Sequence, residues 1–139
     1  MQDRPTQDEL LGALERFLDD QVVAKTEGAL SFHGRVAANV VRMLRRELQH
    51  EDEQLAREWA GLDALLGASS RPASRAALGA ALTVRNESLC ARIRAGDADT
   101  PPFCVAVLSH VRQTVRDKLL VTNPGWVGED VGRGAGLLC

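Results

Sequence analysis

The sequence predicts an all-α protein, a four- to five-helix bundle with a long second helix. Three observations predict it. Apolar residues recur at three- and four-residue spacing through four segments. No stretch alternates apolar and polar residues as a half-buried strand does. Capping and helix-stopping residues bracket the segments.

The first helix is expected to start after Thr6, where Thr6 and Glu9 form a capping-box pattern and Asp8 and Glu9 suit the positive end of the dipole. Leu10, Leu11, Leu14, Phe17, Leu18 and Val22 follow at helical spacing, and Gly28 is the expected stop. The second helix begins near Ser31. Phe32, Val36, Ala37, Val40, Met43, Leu44 and Leu48 fill one half of its wheel, and Arg35, Arg42, Arg45 and Arg46 the other. His33 and Glu47 interrupt the apolar half, and Asn39 borders it. That half is read as facing the core.

The apolar phase then continues through Leu55, Trp59, Leu62 and Leu66, with no Gly or Pro between Arg35 and Ala60. One helix to about Leu66 is therefore allowed, with residues 49–53 (the acidic Glu51-Asp52-Glu53) the place for a break. A helix that long overhangs its neighbours, which points to a break or to a homodimer. Gly67 to Ser74 reads as a linker. The third helix carries Leu78, Leu82, Leu89 and Ile93 as its stripe. The fourth opens at Thr100 with Pro101 in the first helical position, and Cys104, Leu108, Val111, Val115 and Leu119 form the expected buried stripe. Asn123-Pro124-Gly125 ends it. Trp126 is expected to fold back as a lid.

Composition narrows the function classes. With 139 residues, 45% hydrophobic and 26% charged, the chain suits one domain, expected over residues 1–127, with a flexible tail at 128–139. A net charge of −2, no Tyr, three Phe and two Trp argue against nucleic-acid binding. Three cysteines without a Cys-x-x-Cys pair argue against a zinc site or a disulfide framework. Cys90 and Cys104 read as small core residues. The start of the chain lacks the apolar segment of a signal peptide, and no apolar run reaches the roughly 20 residues of a membrane span. A cytoplasmic protein with no membrane role is expected.

Catalytic patterns are incomplete. Glu47-x-x-His50 matches a quarter of a dinuclear metal site, and no second Glu-x-x-His accompanies it, so no metal and no cofactor are expected. His33 has no Cys or Asp near it in sequence. The residues left as ligand-binding candidates are His33, Arg35, Asn39, Asn86 and Lys118. Arg35, Arg42 and Arg46 form an edge that can hold a phosphate or carboxylate bidentately, with His33 and Asn39 beside it. The alternative is an ordinary solvated face paired to Glu15, Asp19 and Asp20 of the first helix. Asn39 and Asn86 can instead set helix register by facing each other. Lys118 sits at the edge of the fourth helix's stripe.

Several of these residues also carry a family resemblance. The opening Met1-Gln2-Asp3-Arg4-Pro5-Thr6 into Glu9-Leu10-Leu11, then Phe32-His33-x-Arg35-Val36-Ala37-Ala38-Asn39, Arg46-Glu47-Leu48, Lys118-Leu119 and Asn123-Pro124 together resemble a bacterial family of small helical proteins of unknown function. Genes of that family often stand beside aminoglycoside-phosphotransferase-like kinases and acyl-CoA dehydrogenases. The resemblance implies an accessory protein of acyl-CoA catabolism, with such a kinase or dehydrogenase as partner, and carries no catalytic residue over. The alternative is a ligand-binding module or small enzyme for a phosphorylated or CoA-linked acyl compound, with a pocket between the second and third helices. A docking patch is expected around Trp59, Leu62 and Trp126.

Overall fold

A computed structural model describes residues 3–127; the tail expected at 128–139 lies outside them. Four α-helices follow one another: α1 (Gln7–Phe17), α2 (Gly28–Leu66), α3 (Arg75–Arg94) and α4 (Phe103–Thr122). A π-helical turn, Leu18–Val23, extends α1, and a 3-10 turn, Pro124–Trp126, follows α4. No strand occurs among the described residues. α2 runs unbroken for 39 residues, through the acidic patch where a break was the alternative. By internal packing the chain forms two units, Met1–His50 and Glu51–Cys139.

The first unit is a hairpin whose inner surface is small and charged. The expected capping box is present: Thr6 N donates to Glu9 Oε2 at 2.7 Å, and Glu9 N donates to Thr6 Oγ1 at 3.2 Å. Gly28, at φ +61°, turns the chain into α2 where a side chain would be strained. Gly34 then meets the π-turn so closely that a Cβ on it would lie 2.9 Å from Val22 Cγ1. Ser31 Oγ donates to Val23 O at 3.3 Å, and Ala38 and Val41 are buried. Further along, ion pairs take over. Arg45 Nε donates to Asp8 Oδ1 at 2.8 Å and its Nη1 to Glu15 Oε2 at 2.6 Å. Arg42 Nε donates to Glu15 Oε1 at 2.8 Å, and its Nη2 also bonds Asp19.

The second unit holds the apolar core. Trp59, Leu62 and Leu65 of α2, Leu78, Leu82 and Leu89 of α3, and Val107 of α4 form one buried cluster, flanked by Leu55, Leu66, Ala81 and Phe103. Arginines fasten its rim. Arg85 stacks 4.6 Å over the Trp59 ring, donates to Asp63 Oδ1 at 2.6 Å and to Gly67 O at 2.9 Å. Arg92 stacks 4.2 Å over Phe103 and donates to Leu65 O at 2.7 Å. Gly67, at φ +94°, ends α2, and Ser74 Oγ caps α3 by accepting from Ala77 N.

α4 departs from expectation at its start and in its facing. It begins at Phe103, with Pro102 in the cap position and no side-chain cap, rather than at Thr100. Its buried residues are Val107 and Asp117, with His110 half-buried, whereas Val111 and Val115 of the expected stripe are exposed. The reason is a fork: Arg57 of α2 donates through Nε to Asp117 Oδ2 at 3.1 Å and through Nη2 to Oδ1 at 3.0 Å. Gln113 adds a bond to Oδ1 at 3.1 Å, and Gln54 donates to the Asp117 carbonyl at 2.9 Å. These bonds turn the Asp117 face inward, and the valines outward. Gly61 lets α4 approach, since a Cβ there would lie 2.2 Å from His110 Nδ1.

Candidate functional site

The apolar half of α2's first half faces solvent. Phe32 is 56% exposed, Val40 49% and Leu48 44%, with Val36 and Leu44 between them equally open. This overturns the expectation that the stripe faces a core. The opposite side of the same helix, Gly34, Ala38, Val41 and Arg45, meets α1 and the π-turn. Two facts drive the inversion. Small residues let the two helices approach closely. Arg42 and Arg45, expected on the solvated half, find Asp8 and Glu15 on α1 and Asp19 on the π-turn. Hydrogen bonds from Arg45 hold the Asp8 and Glu15 carboxyls below their ordinary range, with Arg42 adding to the effect on Glu15. Of the arginine edge expected from sequence, Arg42 is thus paired to acids of the hairpin, and Arg45, outside that edge, joins it. On α1, Leu10, Leu14 and Phe17 are exposed as well.

Within the first unit, His33, Arg35 and Asn39 are all exposed on α2. The His33 ring meets Phe32 edge-on at 5.4 Å. Arg35 and Asn39 lie one turn apart along one edge, about 40° from each other on the wheel, while His33 lies within the apolar stripe, about 120° from Asn39. Asn39 Nδ2 contacts Met43 Sδ at 3.9 Å, within its own helix. Arg35 forms no ion pair with Glu15 or Asp19, whose oxygens go to Arg42 and Arg45. In the second unit, half-buried Asn86 donates to Glu58 Oε1 at 2.8 Å, and Lys118 is exposed on α4. Each asparagine therefore has its own partner, and the pairing of one with the other is not what satisfies them.

A cleft of about 400 Å³ lies between α2 and α3 in the second unit, lined by Asp52, Leu55, Arg71, Pro72, Arg75 and Leu78 among others. Arg35 is not among its lining residues. Arg75 is paired with Glu51. Sequence reading passed over Arg71 and Arg75 because they flank a proline-containing connection; their four-residue spacing around the α3 cap was the available signal. Among the described residues no three His, Cys, Asp or Glu side chains gather as metal ligands, so Glu47 and His50 gain no further ligand there. The patch expected around Trp59, Leu62 and Trp126 does not form. Trp59 and Leu62 are core residues, and Trp126 is 68% exposed instead of acting as a lid. Cys90 is an exposed free thiol, and Cys104 is half-buried. No helix among the described residues is long and apolar enough to cross a membrane.

The family model for the domain of unknown function DUF6285 matches residues 24–126, from the loop before α2 to the turn after α4. The chain belongs to the DUF6285 family. Comparison with curated proteins and with solved structures gives no match. The DUF6285 region includes all of α2, with both its outward stripe and its share of the core, together with α3 and α4. All of α1 and the π-turn, with their acids, lie ahead of the matched region.

Proposed function

We propose that this DUF6285 protein is a cytoplasmic helical accessory protein that works by docking and performs no catalysis of its own. The observation that supports it is the outward turn of apolar side chains on three helices: Leu14 and Phe17 on α1, the Phe32-to-Leu48 stripe on α2, and Val111 and Val115 on α4. An apolar stripe left open along one helix face, as on α2, marks an interaction site in soluble proteins. The family resemblance supplies the partner class, an acyl-CoA dehydrogenase or an aminoglycoside-phosphotransferase-like kinase. The test is direct binding of the purified full chain to each enzyme from the same organism by interferometry. Binding that weakens in Leu14→Arg or Val115→Arg supports docking through these faces. No binding at about 100 µM, or binding indifferent to both changes, overturns it.

A second reading has its own observation. The α2–α3 cleft falls within the size range of small-molecule sites, about 300–1,000 Å³, and Arg71 and Arg75 suit an anionic group. A phosphorylated or CoA-linked acyl compound would place its phosphate there, with the expected Arg35 site left unused. Calorimetry with CoA and with ADP tests it: heat lost in Arg71→Ala supports the reading, and no heat with either compound rejects it.

A further inference from the structure

We infer that the α2 stripe is covered by the same stripe of a second copy, the two helices running antiparallel about a two-fold axis at Val40. The inference rests on the docking reading above and names the occupant of one of its faces. Three features of the stripe carry it.

The first is symmetry in the sequence of the exposed face. Val36 and Leu44 lie four residues on either side of Val40, and Phe32 and Leu48 lie eight on either side. An antiparallel pair centred on Val40 sets Val36 against Leu44 of the partner and Phe32 at the level of Leu48 of the partner. Val36, Val40 and Leu44 then face apolar residues of the partner about the axis, as an isologous interface requires.

The second is charge. His33 and Glu47 are the two ionisable residues that interrupt the stripe, and each stands seven residues from Val40, on opposite sides of it. On a wheel they fall within about 20° of Val40, so both point along the stripe's own direction. Antiparallel pairing brings His33 to Glu47 of the partner, twice per dimer. Parallel pairing would set Glu47 against its own copy, a like-charge arrangement that interfaces avoid. An unrelated partner would give no reason for the two to be equidistant from one residue.

The third is extent. Phe32, Val36, Val40, Leu44 and Leu48 are each 44–56% exposed and run along about 24 Å of helix, long enough for an antiparallel helix pair.

Sedimentation of the full chain across a concentration series tests this with a charge swap. Wild type should sediment at twice the 15.0 kDa chain mass. His33→Glu sets two acid pairs face to face and should raise the dimer Kd about tenfold or more. Adding Glu47→Lys to it sets each carboxylate introduced by the first change against a lysine and should return the Kd to within about threefold of wild type. Both side chains are exposed, and unchanged helicity by circular dichroism shows that the variants fold. A monomer at every concentration, a dimer indifferent to His33→Glu, or a double variant no tighter than the single one each overturns the inference. A monomer that still binds the dehydrogenase or kinase overturns self-pairing alone. A swappable dimer that binds neither enzyme sustains self-pairing and removes the docking reading.

Discussion

Arg57 and Asp117 meet as a two-pronged fork in which the carboxylate is buried, 5% exposed, while the guanidinium keeps one side open to water. The two halves of this pair are therefore unequal. Removing Arg57 strands a buried carboxylate, whereas neutralising Asp117 leaves a cation free to swing outward. Arg57→Ala should cost about 2–3 kcal/mol and Asp117→Asn about 1 kcal/mol, read from urea unfolding followed by circular dichroism. Equal costs would show that the fork is solvated.

Acid should act on the first unit through Asp8 and Glu15. Arg45 depresses both carboxyls from ordinary values of 3.8 and 4.5. A depressed carboxyl stabilises the fold above its unfolded value and loses that contribution as pH falls through the folded one. Hairpin stability should thus be complete above about pH 5.5 and decline below about pH 4.5. Arg45→Met should flatten that decline, as followed by amide exchange of α1.

His110 should respond earlier. Burial lowers its pKa from 6.5, with the Glu58 charge opposing the shift. A lowered imidazole favours the fold above pH 6.5, and protonation on acidification withdraws that contribution. His110→Gln should remove the part of the stability change that begins near pH 6.5, measured by urea midpoints at pH 7 and pH 5.

Gly61 is a packing position against the same imidazole. A methyl group there overlaps Nδ1, with the neighbouring ring carbon also within contact. Gly61→Ala should cost about 1–3 kcal/mol by overpacking. In the His110→Ala background the cost should shrink, which a double-mutant cycle reads directly.

The two tryptophans are predicted to separate cleanly. Trp59→Ala opens the core and removes the ring under Arg85, and should cost about 3–5 kcal/mol. Trp126→Ala should stay within about 0.5 kcal/mol. Acrylamide should quench Trp126 and leave Trp59 bright.

How much of this was legible in the sequence depends on which kind of information each residue carries. The all-α class, the Thr6–Glu9 capping box, the stop at Asn123-Pro124 and the Leu78, Leu82 and Leu89 part of the α3 stripe were readable because each rests on neighbours within one turn, whereas Ile93 of that stripe is exposed. Which side of α2 faces inward was not. Periodicity shows that Phe32, Val36 and Val40 share a face, but Gly34, Ala38, Arg42 and Arg45 decide the hairpin contact through acids more than twenty residues away. The same failure recurs in α4, where Val111 and Val115 form the more hydrophobic stripe. Asp117 faces inward because Arg57 waits there, a fact held sixty residues upstream. The α2–α3 cleft escaped notice because it sits in a connection, where residue spacing carries no periodic signal. None of the five ligand candidates lines that cleft.

The hairpin's charged interior has a consequence for how the chain should be taken apart. Its inner surface offers few apolar groups for a denaturant to solvate, and its fastenings are carboxylate–guanidinium pairs. Guanidinium chloride is itself an electrolyte and competes for those carboxylates, whereas urea leaves them paired. The apolar cluster of residues 59–107 is open to both agents. The two denaturants should therefore unfold the two units in different order, and the choice of solute, more than its concentration, selects which half of the chain is seen alone.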